Sequence, residues 1–163
     1  MLYLPFNAGS KRYVLPAKEV VTVIPVVMLR RVPESPDYLV GLLNYQGVPI
    51  PIVDVTRLLE GHKPDVRLST RIILIVLQAG GSERRTLGLL AEKVTEVMYL
   101  EEKDFVNTGL YDEVYGKLGE VVASDDGAVR RIIITDLISQ DMQKTIFNSS
   151  TAESTQTASN VTH

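Results

Sequence analysis

Two prolines spaced two apart inside an otherwise apolar strand constrain this 163-residue chain more than any other feature. The stretch from Gly41 to Gly61 sets Pro49 and Pro51 among Val48, Ile50, Ile52 and Val53. In an extended chain alternate residues share a face, and alternate N–H groups point the same way. Val48, Ile50 and Ile52 therefore share one face, while positions 49 and 51 both lack a donor along one side. No regular ladder can run along that side, which is expected to be an edge or a bulge. Ahead of the prolines, Asn44 to Gly47 reads as a short hairpin turn with a bulge, Asn44 opening it and Gly47 supplying the positive φ. Beyond them, Asp54 reads as the N-cap of a short helix over 55–60 that turns Leu58 and Leu59 inward, with Gly61 as its C′ residue.

The remaining text is that of short strands. Leu2 to Phe6 and Arg12 to Leu15 form an opening hairpin, and Val20 to Val27 is a β-branched strand bent or ended at Pro25. Residues 28–38, with Pro33 and Pro36, read as a surface connection. A polar linker over 62–69 leads into Arg71 to Leu77, an apolar run expected to be buried on both faces. The pattern then starts again. Thr86 to Val97 lies over Arg12 to Val23 at an offset of 74 (91 − 17, Ala91 over Ala17), and Ile73 to Gln78 resembles Leu2 to Asn7. Later, Val129 to Leu137 lies over Val48 to Val55, with Asp136 over Asp54 at an offset of 82 (136 − 54). This is an internal duplication of about 70 residues with five strands per copy, which makes the fold class all-β and two small barrels the expected architecture. Residues 148–163 are a polar tract that cannot offset its ordering entropy by burial, and are expected to form a disordered tail.

Composition narrows the chemistry. With no Cys and only His62 and His163, disulfides and thiolate metal sites are excluded and a His-rich site nearly so; no cofactor is expected. A net charge of −3 disfavours nucleic acid as a partner, and the Arg pairs at 30–31, 84–85 and 130–131 read as solvated. No apolar run is long enough to span a bilayer and no leader is evident, which reads as a cytoplasmic protein without direct membrane insertion. No nucleophile elbow, phosphate loop or zinc-protease motif is present, so the chain does not read as an enzyme. Asp54 and Asp136 could pair as acid and base, but each more simply caps the turn or helix after a strand. Ala79 to Ser82 reads as a hairpin loop, and Asp125 to Gly127 as a hairpin turn. Glu101, Glu102, Asp104, Asp112 and Glu113 lack the spacing of a calcium loop and read as solvated. A chain with edges and apolar grooves but no catalytic constellation suits a binding module.

The Gly41 to Gly61 stretch also carries a resemblance. Its Gly-x-x-Asn-x-x-Gly, followed by apolar-x-Pro-apolar-apolar-Asp-apolar, is similar to the signature of CheW-like domains, the adaptor modules of bacterial chemosensory arrays. The similarity runs from about Leu2 to Phe147 and includes Tyr13 to Pro16 and Glu19 to Ile24. It implies two five-stranded SH3-like β-barrels within 1–147, divided approximately as 16–90 and 1–15 plus 91–147, with the N-terminal hairpin packed into the second barrel. It further implies a non-enzymatic adaptor at receptor arrays beneath the inner membrane. Its partners would be the cytoplasmic tip of a methyl-accepting chemoreceptor and the regulatory domain of a CheA-type histidine kinase. Carried over position by position, the receptor-side surface comprises Val20, Thr22, Gln46, Ile72 and Gly88. Plain core packing is an equally good reading of Val20 and Ile72, and close backbone approach of Gly88. Gln46 stands where the family usually has Arg, and Thr22 where some relatives have an acidic residue. The alternative is a free-standing SH3- or OB-like module for a small ligand or oligonucleotide, against which the acidic charge weighs.

Overall fold

The computed structural model describes residues 1–61, 68–78, 84–106, 111–112, 116–117, 121–124 and 127–148. The first half holds strands β1 (Leu2–Ala8), β2 (Lys11–Pro16), β3 (Val20–Pro25), β4 (Leu39–Tyr45) and β5 (Val48–Asp54), then helix α1 (Val55–Glu60). The second holds β6 (Thr70–Gln78), β7 (Arg84–Glu92), β8 (Met98–Tyr99), β9 (Tyr111–Asp112), β10 (Gly116–Lys117), β11 (Val121–Ser124) and β12 (Gly127–Arg131), then helix α2 (Ile134–Leu137). A third helix, α3, covers 140–148. The fold is all-β, as expected, with ten strands of the described residues in one mixed sheet and β9 pairing with β10 apart from it. The sequence pattern does not announce α3, which docks Met142, Ile146 and Phe147 against the central core. The linker 62–67, the loop 79–83, Glu113, the turn residues Asp125 and Asp126, and the tail over 149–163 lie outside the described residues.

The first hairpin of each half pairs with later strands of the other. β1 meets β8 with Tyr3 opposite Met98, and β2 runs parallel to β12 with Val14 opposite Arg131. Likewise β6 meets β3 with Ile72 opposite Ile24, and β7 runs parallel to β5 with Gly88 opposite Ile52. These pairings fix the repeat residue by residue. Ile24 matches Met98 and Val14 matches Gly88 at an offset of 74 (98 − 24, 88 − 14), while Tyr3 matches Ile72 at 69 (72 − 3). Ile52 then matches Arg131 at 79 (131 − 52). The helix N-caps agree, since Asp54 and Ile133 are also 79 apart (133 − 54).

Three readings are corrected by this register. At an offset of 69 Ile73 stands over Leu4 (73 − 4), so Leu2 to Asn7 lies over Arg71 to Val76 and not over Ile73 to Gln78, because the longer connection between β6 and β7 shifts the strand by two residues. Asp136 does not stand over Asp54 and caps nothing: it is an exposed residue inside α2, whose N-cap is Ile133 without a side-chain bond. The likeness of Ile134 to Leu137 with Ile52 to Val55 concealed a three-residue slip, because sheet register is set by cross-strand partners rather than by local identity. Arg131 is not solvated. Its side chain is only 15% exposed and lies over the Phe105 ring at 4.1 Å. Arg85, in turn, stacks on Phe147 of α3 at 4.8 Å.

Among the described residues the apolar faces form three clusters. The central one lies between the halves and includes Phe6, Leu15, Val53, Ile73, Ile75, Leu89 and Ile138. Leu43, Ile50, Ile52, Ile72, Leu74 and Leu90 fill the first half. Tyr3, Val14, Leu100, Val122 and Val129 fill the second, joined by Met98 and Phe105. Alternate residues of β6 serve the central and first-half clusters, so the strand is buried on both faces as its sequence implied. Each fully buried aliphatic side chain contributes roughly 1.5–3 kcal/mol.

The prolines act as their spacing required. β5 pairs with β4 from Val48 onward but with β7 only from Ile52, leaving an edge beside Pro49 and Pro51. In the other half the parallel pair already starts at Val129, the match of Ile50 (129 − 79), where no proline intervenes. The turn differs from expectation. Gln46 and Gly47 both have positive φ, 52° and 83°, making a two-residue turn, and the bulge sits instead between Leu39 and Gly41. Asn44 closes the turn by accepting the Gly47 N–H at 3.1 Å.

Candidate partner-binding surface

Four of the five receptor-side candidates lie on three adjacent strands. Thr22 on β3 faces Leu74 on β6, which faces Gly88 on β7, which faces Ile52 on β5. Ile72 lies two residues along β6 and is fully buried in the first-half cluster. Gly88 is also buried, and a Cβ there would stand 2.2 Å from Ile52 Cδ1 and 3.1 Å from Ile72 Cγ2. These two residues can influence a partner only through the packing behind the surface. Val20 is half-buried against the central cluster, with a register shift separating it from the half-buried Thr22. Gln46 is exposed at the hairpin tip, with the strand from Val48 to Ile52, roughly 13 Å at about 3.3 Å per residue, between it and the others.

A left-handed conformation costs a non-glycine residue roughly 1–2 kcal/mol. Gln46→Gly is therefore expected to raise stability by about 1 kcal/mol, read as a higher denaturation midpoint; a lower midpoint would show that the Gln side chain braces the turn.

An exposed apolar strip escaped the reading from sequence. β3 alternates, with Val21 and Val23 outward, and beyond Pro25 the chain leaves Val26, Val27 and Met28 exposed, Met28 at 98%. The signal was available. Only Thr22 breaks an apolar run from Val20 to Met28, more than a strand with one core-facing side needs.

The helix after β5 forms as its caps predict. Asp54 Oδ1 accepts the Arg57 N–H at 3.1 Å, and left-handed Gly61 donates back to the Arg57 carbonyl at 3.0 Å. Leu59 is buried and Leu58 packs at the margin of the central core. Asp54 also lines an open cleft of 710 Å³ with Arg31, Glu34, Asp37, Val40 and Leu90. Arg57 pairs with Asp37 at 2.8 Å beside it.

Burial holds the Asp54 carboxyl above the ordinary aspartate value of 3.8, outweighing the lowering effect of the Arg57 and Thr56 N–H groups. The folded state thus keeps this proton to higher pH than the unfolded chain. The group's contribution to stability is greatest when protonated and declines as pH rises from 3.8 through the raised value. Asp54→Asn should keep the cap, remove the decline and leave stability at neutral pH equal or higher, whereas Asp54→Ala should cost about 0.5–2 kcal/mol. Thermal midpoints across that range check both, and an Asn variant much weaker at neutral pH would show that the charge itself is needed.

Among the described residues no group of His, Cys, Asp or Glu could hold a metal ion, and no helix is long and apolar enough to cross a membrane. The profile of the CheW-like domain family matches residues 2–141. The chain belongs to the CheW-like domain family. It is 24% identical over 102 residues to the chemotaxis protein CheW of Helicobacter pylori, covering 63% of this chain and 59% of that protein. It is 26% identical over 98 residues to the CheW of Klebsiella aerogenes, covering 60% and 56%. Protein FrzA of Myxococcus xanthus is 24% identical over 144 residues, covering 86% and 87%. The matches to the two CheW proteins thus span less than two thirds of their lengths. The crystal structure of the scaffolding protein TtCheW from Thermoanaerobacter tengcongensis superposes with a TM-score of 0.73 at 20% identity, covering 86% of this chain and 89% of that one. This likeness establishes the CheW-like fold.

Proposed function

We propose that this chain is a non-enzymatic adaptor that couples the cytoplasmic tip of a chemoreceptor to the regulatory domain of a CheA-type histidine kinase. Membership of the CheW-like family across residues 2–141 is the observation that carries this reading. On this reading the protein works in the cytoplasm, at receptor arrays beneath the inner membrane. We read residues 1–147 as one domain of two interlocked five-stranded barrels, 16–90 and 1–15 plus 91–147, with the polar tail outside it. The reciprocal pairing of β1 and β2 with β8 and β12, and of β6 and β7 with β3 and β5, supports that division. Val20, Thr22 and Gln46 are the receptor-side residues with exposed surface, while Ile72 and Gly88 shape the strands behind them.

Apolar burial is insensitive to salt, whereas contacts between exposed charges are screened. Binding to the cognate kinase regulatory domain should therefore weaken little between low and high salt in a calorimetric titration. Absence of binding, with receptor-supported kinase activity unchanged on adding the protein, would sink the adaptor reading. Gln46 offers neutral hydrogen bonds where Arg would present a charged fork, and charge-assisted bonds are roughly twice as strong. Gln46→Arg should leave the fold and kinase binding intact and gain affinity for receptor fragments bearing a carboxylate at the contact. A double-mutant cycle against the matching amide fragment measures this, and a coupling near zero would remove position 46 from recognition.

A further inference from the structure

The two halves close their cores by different physics. Ile52 is buried among aliphatic neighbours in the first half, and its match in the second is Arg131. The Arg131 guanidinium donates to both carboxylate oxygens of Glu102 at 2.8 and 2.9 Å and to the Tyr3 hydroxyl at 3.2 Å. It also covers the Phe105 ring, which packs against Tyr3 at 5.4 Å between centroids. Glu102 and Phe105 belong to one short strap over 101–105. The strap closes on itself, with Asp104 accepting the Glu101 N–H at 2.8 Å and the Asp104 and Phe105 amides donating to Glu101 and Glu102 at 2.9 and 3.2 Å. Its outer side is solvent, for the Glu102 side chain is 77% exposed. Holding the Glu102 carboxylate ionised, Arg131 keeps its proton affinity below the usual range.

We propose that Arg131 and Glu102 form a releasable clasp, so that the 101–105 strap opens as a local unit and uncovers the aromatic surface of Tyr3 and Phe105 while the remaining sheet stays folded. Packing holds Ile52 in place, and it yields only with the surrounding core. The clasp includes, beside the Arg131 contacts to Tyr3 and Phe105, a charge pair whose Glu102 partner is exposed, and that pair water and salt can replace. The strap thus sits at the low-stability end of the molecule, where local opening is separable from global unfolding.

Hydrogen exchange on the full chain tests this without any binding partner. The Asp104 and Phe105 amides should exchange faster than the β6 amides of Ile73 and Leu74 and should speed up further in high salt. Glu102→Gln, which keeps the size and removes the charge, should accelerate them roughly fivefold and leave β6 and the thermal midpoint unchanged. Arg131→Met should act in the same direction, and Glu102→Gln decides the matter if the Met variant fails to fold. Strap amides that exchange at the β6 rate, or that ignore both salt and Glu102→Gln, would overturn the proposal.

Discussion

Gly88→Ala is expected to lose roughly 1–3 kcal/mol of stability, although Ala is ordinarily the better strand residue by about 0.5–1 kcal/mol. The reason lies across β7. An added Cβ would come within 2.2 Å of Ile52 Cδ1, 3.1 Å of Ile72 Cγ2 and 3.3 Å of Leu74 Cδ2, all on fully buried side chains. The Ile52 methyl is the end of a flexible chain, but a packed core gives it no empty place to go. The second half shows the same position without the constraint. There Val14 carries its Cβ beside β12, because the residue opposite is Arg131, whose guanidinium reaches Glu102 instead. Ile52→Val removes the clashing methyl and alone should cost about 0.5–1.5 kcal/mol. In the Gly88→Ala background it should cost less or restore stability, with a coupling of roughly 0.5–3 kcal/mol by chemical denaturation. Additive losses, or a Gly88→Ala variant that keeps full stability yet loses partner binding, would return Gly88 to the recognition surface.

What could be read in the sequence was what local chemistry decides. Asp54 and Gly61 bracket α1 because a cap is a contact between near neighbours. Pro49 and Pro51 mark an edge because a missing N–H needs no partner to be missing. The continuous apolar text of β6 implied burial on both faces, and the two hydrophobic clusters it joins supply them. What could not be read depends on register. Arg131 looked like half of a solvated pair, and only the pairing of β12 with β2 turns it toward Tyr3 and Phe105. The same pairing exposes the slip that put Asp136 over Asp54. For Ile72 and Gly88 the sequence leaves both a surface position and inward packing open, since a family position carries no sign of which strand face it occupies, and in the structure both pack inward. Helix α3 turns Met142, Ile146 and Phe147 inward together with a buried Gln143, and that polar residue on the inner face obscures the amphipathic period in the sequence.

Cutting the chain between its halves should abolish the fold of both. Residues 1–61 contain β1 to β5, yet β1 and β2 have their later partners in β8 and β12, and β3 pairs with β6. The first-half core loses Ile72, Leu74 and Leu90 with the cut, and the second-half core loses Tyr3 and Val14. A chain of about 60 residues is marginal even with its core complete. Neither 1–61 nor 68–148 is therefore expected to show a cooperative thermal transition alone. Mixed in equal amounts they should regain one, because every strand pairing that crosses the cut can form between two chains as well as within one. Reassembly should be slow, since all the missing contacts are non-local. Circular dichroism of each fragment and of the mixture distinguishes the outcomes. If 68–148 alone unfolds cooperatively near the midpoint of the intact protein, β6 and β7 close a barrel within their own half and the reciprocal pairing is dispensable. If the mixture stays unfolded while the intact chain is stable, the connection over 62–67 contributes more than the loop-closure entropy of a short linker, which grows only slowly with length.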